Sequence, residues 1–113
     1  MFVKLFKSFL NSLNGIKSAF KIDKSVKLEF LITIPVVLII IIIFKNTELY
    51  ILILLWFFII ITELLNTSIE KTVDLISPER NHEIKKIKDI SSASVFISVL
   101  LFLIFFFFFL LTN

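Results

Sequence analysis

The sequence predicts an all-α membrane protein, with an N-terminal amphipathic surface helix followed by three transmembrane helices. The mean hydropathy is +1.05, and 58% of the 113 residues are hydrophobic, which is too apolar for a soluble domain of this size. Three long apolar runs are separated by short polar segments, as expected for membrane spans. Near the N-terminus, lysines alternate with apolar residues at helical spacing, which is typical of a helix on a membrane surface. We expect one integral membrane domain over residues 1–113.

The surface helix is predicted over residues 2–21. Its apolar side chains recur every three or four positions and its polar side chains fall between them, so one face would contact acyl chains and the other phosphate headgroups. The polar set is Lys4, Lys7, Asn11, Asn14, Lys17 and Lys21. After this helix, the sequence is compatible either with a continuous helix or with a break near residues 22–25.

The three spans are predicted at about residues 28–44, 49–65 and 90–111, each near the ~20 residues that a transmembrane helix needs. Pro35 lies inside the first span, where membrane helices tolerate proline. The second span is expected to continue as a helix to about Ile76.

A charged connector is predicted between the second and third spans, over residues 79–88. Ser77 and Pro78 would end the preceding helix, and Asp89 or Ser91 would cap the third span. Eleven of the twelve Lys and Arg residues lie before Leu28 or between Lys71 and Lys88. By the positive-inside rule, the N-terminus and this connector are cytoplasmic and the C-terminus lies outside.

The composition also excludes several kinds of site. There is no cysteine, so disulfides and thiolate metal centres are excluded. A single glycine excludes the glycine-rich phosphate loops, which need several glycines. A nucleotide would therefore have to be bound by side chains and metal, and we predict no nucleic-acid partner.

A row of polar side chains marks the cytoplasmic end of the second span. Glu63, Asn66, Glu70 and Asp74 are spaced by 3, 4 and 4 residues, which aligns them on one face of a helix. Because this face begins inside the membrane, where ionisable groups are costly, it is a candidate functional site.

The chemistry of this face favours phosphoryl transfer. Glu70, near the water boundary, is a candidate ligand for a hard divalent cation such as Mg²⁺. Glu63 lies seven residues earlier, about 10 Å along the helix, and is the candidate general base toward a hydroxyl presented at headgroup depth. Lys88, beside Asp89, would supply positive charge for phosphate. A divalent metal ion, a general base and a positively charged side chain are the groups that phosphoryl-transfer sites usually combine.

The segments ELLNTSIEKTVD (63–74) and KDISSASV (88–95) resemble the signature of the prokaryotic diacylglycerol kinase and undecaprenol kinase family. These proteins are small integral membrane lipid kinases. The N-terminal segment SLNGIKSAF and the three-span layout also fit, so the resemblance extends over nearly the whole chain.

The resemblance implies a role for each matching position. The catalytic set is Glu63, Asn66 and Asp74, with Glu63 accepting the proton of the lipid hydroxyl. The metal ligands are Asp23 and Glu70. The nucleotide contacts are Glu70, Glu79, Arg80, Asn81, Lys88 and Asp89. The lipid contacts are Lys4, Glu29, Glu63 and Ser92.

The sequence departs from the family pattern at two of these positions. Asp23 stands where the family has a glutamate, so this acid is one methylene shorter, and Glu29 is the alternative second metal acid. A histidine common in the connector is displaced by one place, to His82.

The resemblance also implies ATP as the phosphoryl donor, Mg²⁺ as the metal, and a homotrimer with sites shared between subunits. It implies location in the bacterial cytoplasmic (inner) membrane, with the active site cytoplasmic.

The expected activity is phosphorylation of diacylglycerol to phosphatidic acid. Glu29 and the pair Ser92-Ala93 resemble the diacylglycerol branch, whereas Thr67 and the segment VDLISPE resemble the undecaprenol branch. Two non-kinase alternatives stay open, a membrane assembly subunit held together by the polar face and a proton or ion conductor.

Overall fold

The computed structural model describes residues 1–77, 79 and 81–112 of the chain. These residues form four α-helices and no strand. The helices are α1 (Phe2–Ile22), α2 (Lys24–Ile43), α3 (Thr47–Ile76) and α4 (His82–Thr112). Helices α2, α3 and α4 are each long and apolar enough to cross a membrane. The predicted class, all-α with three membrane spans after an N-terminal helix, is confirmed.

A break at Asp23 separates α1 from α2 and decides between the two alternatives left by the sequence. Asp23 has extended backbone angles, φ −132° and ψ 110°. Its Oδ1 accepts a hydrogen bond from the backbone N–H of Ser25 at 2.9 Å, which satisfies one of the free N–H groups at the start of α2. The first span therefore begins at Lys24, four residues earlier than predicted.

A short turn over residues 44–46 connects α2 to α3. Asn46 adopts a positive φ of 67°, a conformation that asparagine adopts more readily than most residues other than glycine. Helix α2 runs through Pro35 without ending there. Helix α3 then continues to Ile76, as predicted.

The predicted connector over residues 79–88 is wrong for most of its length, because α4 begins at His82. Asn81 precedes the helix, and its Oδ1 accepts the backbone N–H of Ile84 at 2.9 Å. Its carbonyl oxygen accepts the N–H of Lys85 at 3.1 Å. Asparagine is a favoured residue at this capping position.

Charge pairs one helical turn apart occupy the first turns of α4. Lys85 Nζ lies 2.7 Å from Asp89 Oδ2. Lys86 Nζ lies 3.6 Å from Glu83 Oε1. Such pairs contribute a few tenths of a kcal/mol each to a helix. Asp89 and Ser91 therefore lie inside α4, and the prediction that one of them caps it is wrong.

The apolar core lies at the end of the molecule that contains the α2–α3 turn. Helix α3 packs most extensively against α4, and α2 packs against α3. Edge-to-face aromatic contacts join Phe44 to Phe106 and Trp56 to Phe102. The buried core residues are Ile40, Phe44, Leu52, Ile59 and Phe102.

Two hydrogen bonds link α3 to its neighbouring helices. The hydroxyls of Thr62 and Ser98 lie 2.9 Å apart and are buried between α3 and α4. Trp56 Nε1 donates to Thr33 Oγ1 of α2 at 2.9 Å. Such bonds help to hold membrane helices together.

Candidate active site

A polar cavity of about 250 Å³ lies where the α1–α2 junction meets α3. Asp23 comes from the junction, and Glu70 and Asp74 come from the predicted polar face of α3. Two predicted metal ligands, Asp23 and Glu70, therefore line one cavity within a single chain. The full lining is Ile22, Asp23, Thr67, Glu70, Lys71 and Asp74.

Asp23 is held at this cavity from two sides. Its Oδ1 caps α2 through Ser25, and its Oδ2 accepts a hydrogen bond from Thr67 Oγ1 at 3.0 Å. Thr67 is buried on α3, between Asn66 and Glu70. The bond therefore ties the α1–α2 junction to the face that carries Glu70.

A chain of hydrogen bonds holds the Glu70 carboxylate. Asn66 Nδ2 donates to Glu70 Oε1 at 3.1 Å, which is the contact expected for residues four apart on a helix. The other end of the amide, Asn66 Oδ1, accepts from Ser91 Oγ of α4 at 2.7 Å. The Glu70 side chain is thereby hydrogen-bonded to Asn66 of its own helix, α3, and is connected through Asn66 to Ser91 of α4.

Glu63 faces Glu29 rather than the cavity. The two carboxyl groups lie beside each other between α2 and α3, and both side chains are half-buried. Of the two acids considered as the second metal ligand, Asp23 shares the cavity with Glu70, and Glu29 lies next to the predicted general base.

A second pocket, of about 470 Å³, lies along the first turns of α4. It brings together three of the predicted nucleotide contacts, Asn81, Lys88 and Asp89. The pocket also contains His82, at the position to which the family histidine is displaced. The lining is Asn81, His82, Ile84, Lys85, Lys88 and Asp89.

An ion pair joins this pocket to the cavity at Glu70. Lys88 Nζ donates to Asp74 Oδ1 at 2.6 Å. Lys88 lines the α4 pocket, and Asp74 lines the acidic cavity. The two spaces are therefore neighbours, with a cation at their boundary.

Other predicted site residues lie apart from these two spaces. Lys4 lies nineteen residues before Asp23, about 28 Å along a helix, so one chain does not bring it to the cavity. Ser92 is exposed on α4, and Glu79 is exposed in the bend before α4. Arg80 lies outside the described residues.

Comparison with known proteins identifies the family. Residues 10–110 match the model of the prokaryotic diacylglycerol kinase family. The chain belongs to this family. A relative from Haemophilus influenzae, named diacylglycerol kinase, is 36% identical over 96 residues, covering 84% of this chain and 81% of the relative. A diacylglycerol kinase from Helicobacter pylori strain J99 is 30% identical over 112 residues, covering 98% and 88%.

Membership of the prokaryotic diacylglycerol kinase family agrees with the resemblance found in the sequence. Together with the three helices able to span a membrane, it makes the chain a bacterial membrane protein. The segments that carried the resemblance, residues 63–74 and 88–95, both lie inside the matched region.

Sequence reasoning missed two residues of this candidate site, Thr67 and Ser91. Both hydroxyls donate to predicted site residues, Thr67 to Asp23 and Ser91 to Asn66. Thr67 lies four positions after Glu63 and could have been found as a polar residue at helical spacing on the same helix. Ser91 gave no such signal, because the contact depends on how α4 packs against α3.

Proposed function

We propose that the chain transfers the terminal phosphoryl group of ATP to the hydroxyl of diacylglycerol and releases phosphatidic acid. Its family makes it a lipid kinase, and the names of the relatives support diacylglycerol as the lipid. The observation that carries the proposal is the convergence of Asp23, from the α1–α2 junction, and Glu70, from α3, in one cavity beside Lys88.

The acids of the cavity fit a magnesium ion. Mg²⁺ in nucleotide sites is usually held by one or two carboxylates together with substrate phosphates. Asp23 and Glu70 provide two carboxylates, and in the described part of the chain no three acidic or histidine side chains form a closed metal site. This donor set leaves coordination positions for phosphate oxygens. Mg²⁺ bound there would neutralise charge that develops on the phosphates.

A Thr67→Val variant tests whether the hydrogen bond from Thr67 to Asp23 is needed for Mg²⁺-dependent activity. Valine keeps the shape of threonine but cannot donate to Asp23. Because a net hydrogen bond contributes about 1 kcal/mol, we expect the Mg²⁺ concentration for half-maximal activity to rise about fivefold.

Thr72→Val is the matched control, because the Thr72 hydroxyl bonds only within its own helix, to the carbonyl of Ser68. Thr67→Ser, which retains the hydroxyl, is expected to resemble the wild type. An unchanged Mg²⁺ requirement in Thr67→Val would contradict this role.

Glu63 is proposed to take the proton of the lipid hydroxyl. It lies deeper along α3 than Glu70, by about 10 Å, which separates the proton-accepting end of the site from its phosphate-binding end. Glu29, beside it, would contact the same region of the lipid. The proton of the hydroxyl passes to the Glu63 carboxylate as the hydroxyl oxygen attacks the terminal phosphorus of ATP, and the bond from that phosphorus to the bridging oxygen breaks to release ADP.

The α4 pocket is proposed to hold the nucleotide. Asn81 and His82 provide polar groups at one end, and Lys88 lies at the boundary with the cavity, where the phosphates would reach the metal. Lys88 pairs with Asp74. Asp74 would then keep Lys88 directed toward the phosphates, since a lysine carries three donors.

The active site is proposed to face the cytoplasm, where ATP is available. The lysine distribution supports this orientation, with the N-terminus and the α3–α4 connection inside and the C-terminus outside. Helix α1 would then lie on the cytoplasmic membrane surface, with its lysines toward headgroup phosphates.

A homotrimer with shared sites is proposed as the active form. If Lys4 contacts substrate, it must do so at the site of a neighbouring subunit, because its own α1 holds it far from Asp23. The family resemblance supports three subunits.

The lipid substrate is tested with a panel of acceptors and labelled ATP. Diacylglycerol and undecaprenol are compared in the same mixed micelles with the purified chain and Mg²⁺. We expect diacylglycerol to be phosphorylated at least about tenfold faster, a difference that corresponds to about 1.4 kcal/mol. A tenfold preference for undecaprenol would assign the chain to the other branch.

A further inference from the structure

Ser91 is a buried residue of α4, with 7% of its surface exposed, and it is not part of the lining of the acidic cavity. Its hydroxyl donates to Asn66 Oδ1 at 2.7 Å, and Asn66 Nδ2 donates to Glu70 Oε1 at 3.1 Å. The two bonds form a continuous series from α4 to the cavity, which we name the Ser91–Asn66–Glu70 relay.

The chemistry of its members fixes the direction of this relay. An ionised carboxylate only accepts hydrogen bonds, so Asn66 must turn its NH₂ group toward Glu70. The amide oxygen then points toward α4, where it requires a donor. Ser91 supplies that donor. If the amide turned over, its oxygen would face the carboxylate and both bonds would be lost or reversed.

The neighbouring serines do not substitute for Ser91. The Ser94 hydroxyl donates to the carbonyl oxygen of Ser91 at 2.7 Å, and Ser92 is exposed. Ser98 is paired with Thr62. Ser91 is therefore the serine of this segment that reaches the Asn66 amide.

We propose that Ser91 is a positioning residue for Glu70. By holding the Asn66 amide in one orientation, it restrains Glu70 Oε1 and leaves the rest of the carboxylate directed at the cavity shared with Asp23. The inference rests on the proposed function, in which Glu70 binds the divalent cation that accompanies ATP. It adds a residue of α4 to a metal site built from the α1–α2 junction and α3.

Direct metal binding tests the relay without reliance on turnover. Mn²⁺ replaces Mg²⁺ as the probe, and its free concentration is followed by electron paramagnetic resonance in the presence of a non-hydrolysable ATP analogue. We expect Ser91→Ala to weaken Mn²⁺ binding about fivefold, the effect of about one net hydrogen bond.

Two controls separate positioning from general loosening of the helices. Ser98→Ala removes a buried hydrogen bond between the same two helices, so it should lower Tm and leave Mn²⁺ affinity unchanged. Ser94→Ala removes a neighbouring hydroxyl outside the relay and should also leave the affinity unchanged.

A double-mutant cycle tests whether the effect passes through Asn66. In an Asn66→Ala background, Ser91→Ala should cause no further loss of Mn²⁺ affinity, because the two residues act in series. The proposal is overturned if Ser91→Ala binds Mn²⁺ as the wild type does, or if its loss is equally large in the Asn66→Ala background.

The result of the Mn²⁺ experiment can be distinguished from a failure of the proposed kinase function. A wild-type chain that transfers no phosphate to diacylglycerol would refute the function, and the Mn²⁺ measurement would still decide the relay. An active wild type with unchanged Mn²⁺ affinity in Ser91→Ala would refute the relay alone.

Discussion

A Glu63→Gln variant is expected to phosphorylate diacylglycerol at least about a hundredfold more slowly than the wild type, because a general base contributes about 10²–10⁴-fold to rate. Glutamine keeps the size of the side chain and removes its ability to take the proton of the lipid hydroxyl. Mn²⁺ binding in the presence of the ATP analogue should be unchanged, since the metal cavity is lined by Asp23 and Glu70 and lies farther along α3.

Glu48→Gln is the matched control for this experiment. It makes the same chemical change in the first turn of the same helix, at the other end of the span, and should leave the rate near that of the wild type. Both variants should elute from a sizing column at the wild-type position. Wild-type rates in Glu63→Gln would contradict its role as base. A broken oligomer, with no phosphoryl transfer by any variant, would support a non-enzymatic assembly subunit instead.

The Glu70→Gln variant is expected to lose activity by more than about a hundredfold, because even residues that only hydrogen-bond to a metal's ligands contribute about 10–100-fold. Here, unlike in Glu63→Gln, Mn²⁺ affinity should fall together with the rate. Glutamine can still accept a hydrogen bond from Asn66, but it offers the cation no negative charge. The measurement is the rate at saturating ATP and lipid over a range of Mg²⁺ concentrations.

Glu83→Gln is the control for Glu70→Gln. Glu83 lies in the first turn of α4, where it pairs with Lys86, outside the cavity and outside the lining of the α4 pocket. Its substitution should not change the Mg²⁺ requirement. If Glu70→Gln retained the wild-type Mg²⁺ dependence, Glu70 could not be the metal ligand.

The elements predicted well from the sequence are those with long apolar periodicity. The three spans and the N-terminal helix follow from composition and spacing alone, and the continuation of α3 to Ile76 follows from the row Glu63, Asn66, Glu70 and Asp74. The start of α4 was missed because its first turns are highly charged and look like a loop. The Asn81 cap and the i,i+4 pair Lys85–Asp89 make that segment helical.

The positions of the candidate site residues along α3 were predictable from the sequence. Their contacts with residues of other helices were less so. The order of Glu63, Asn66 and Glu70 on α3 follows from helical spacing. The contacts of Asp23 with Thr67 and of Asn66 with Ser91 require the relative rotation of separate helices. That rotation depends on the packing of the helices against one another along their whole length, and such packing leaves little trace in a single sequence. The choice between Asp23 and Glu29 was open for the same reason.

Transfer of labelled phosphate from ATP to diacylglycerol, by the purified chain in mixed micelles, tests the central claim most directly. We expect labelled phosphatidic acid to accumulate with Mg²⁺ and to be absent with a chelator, because Asp23 and Glu70 are proposed to act through a bound cation. A folded wild-type protein that leaves diacylglycerol unlabelled with saturating Mg²⁺ and ATP, or that labels it equally with chelator present, would contradict the account.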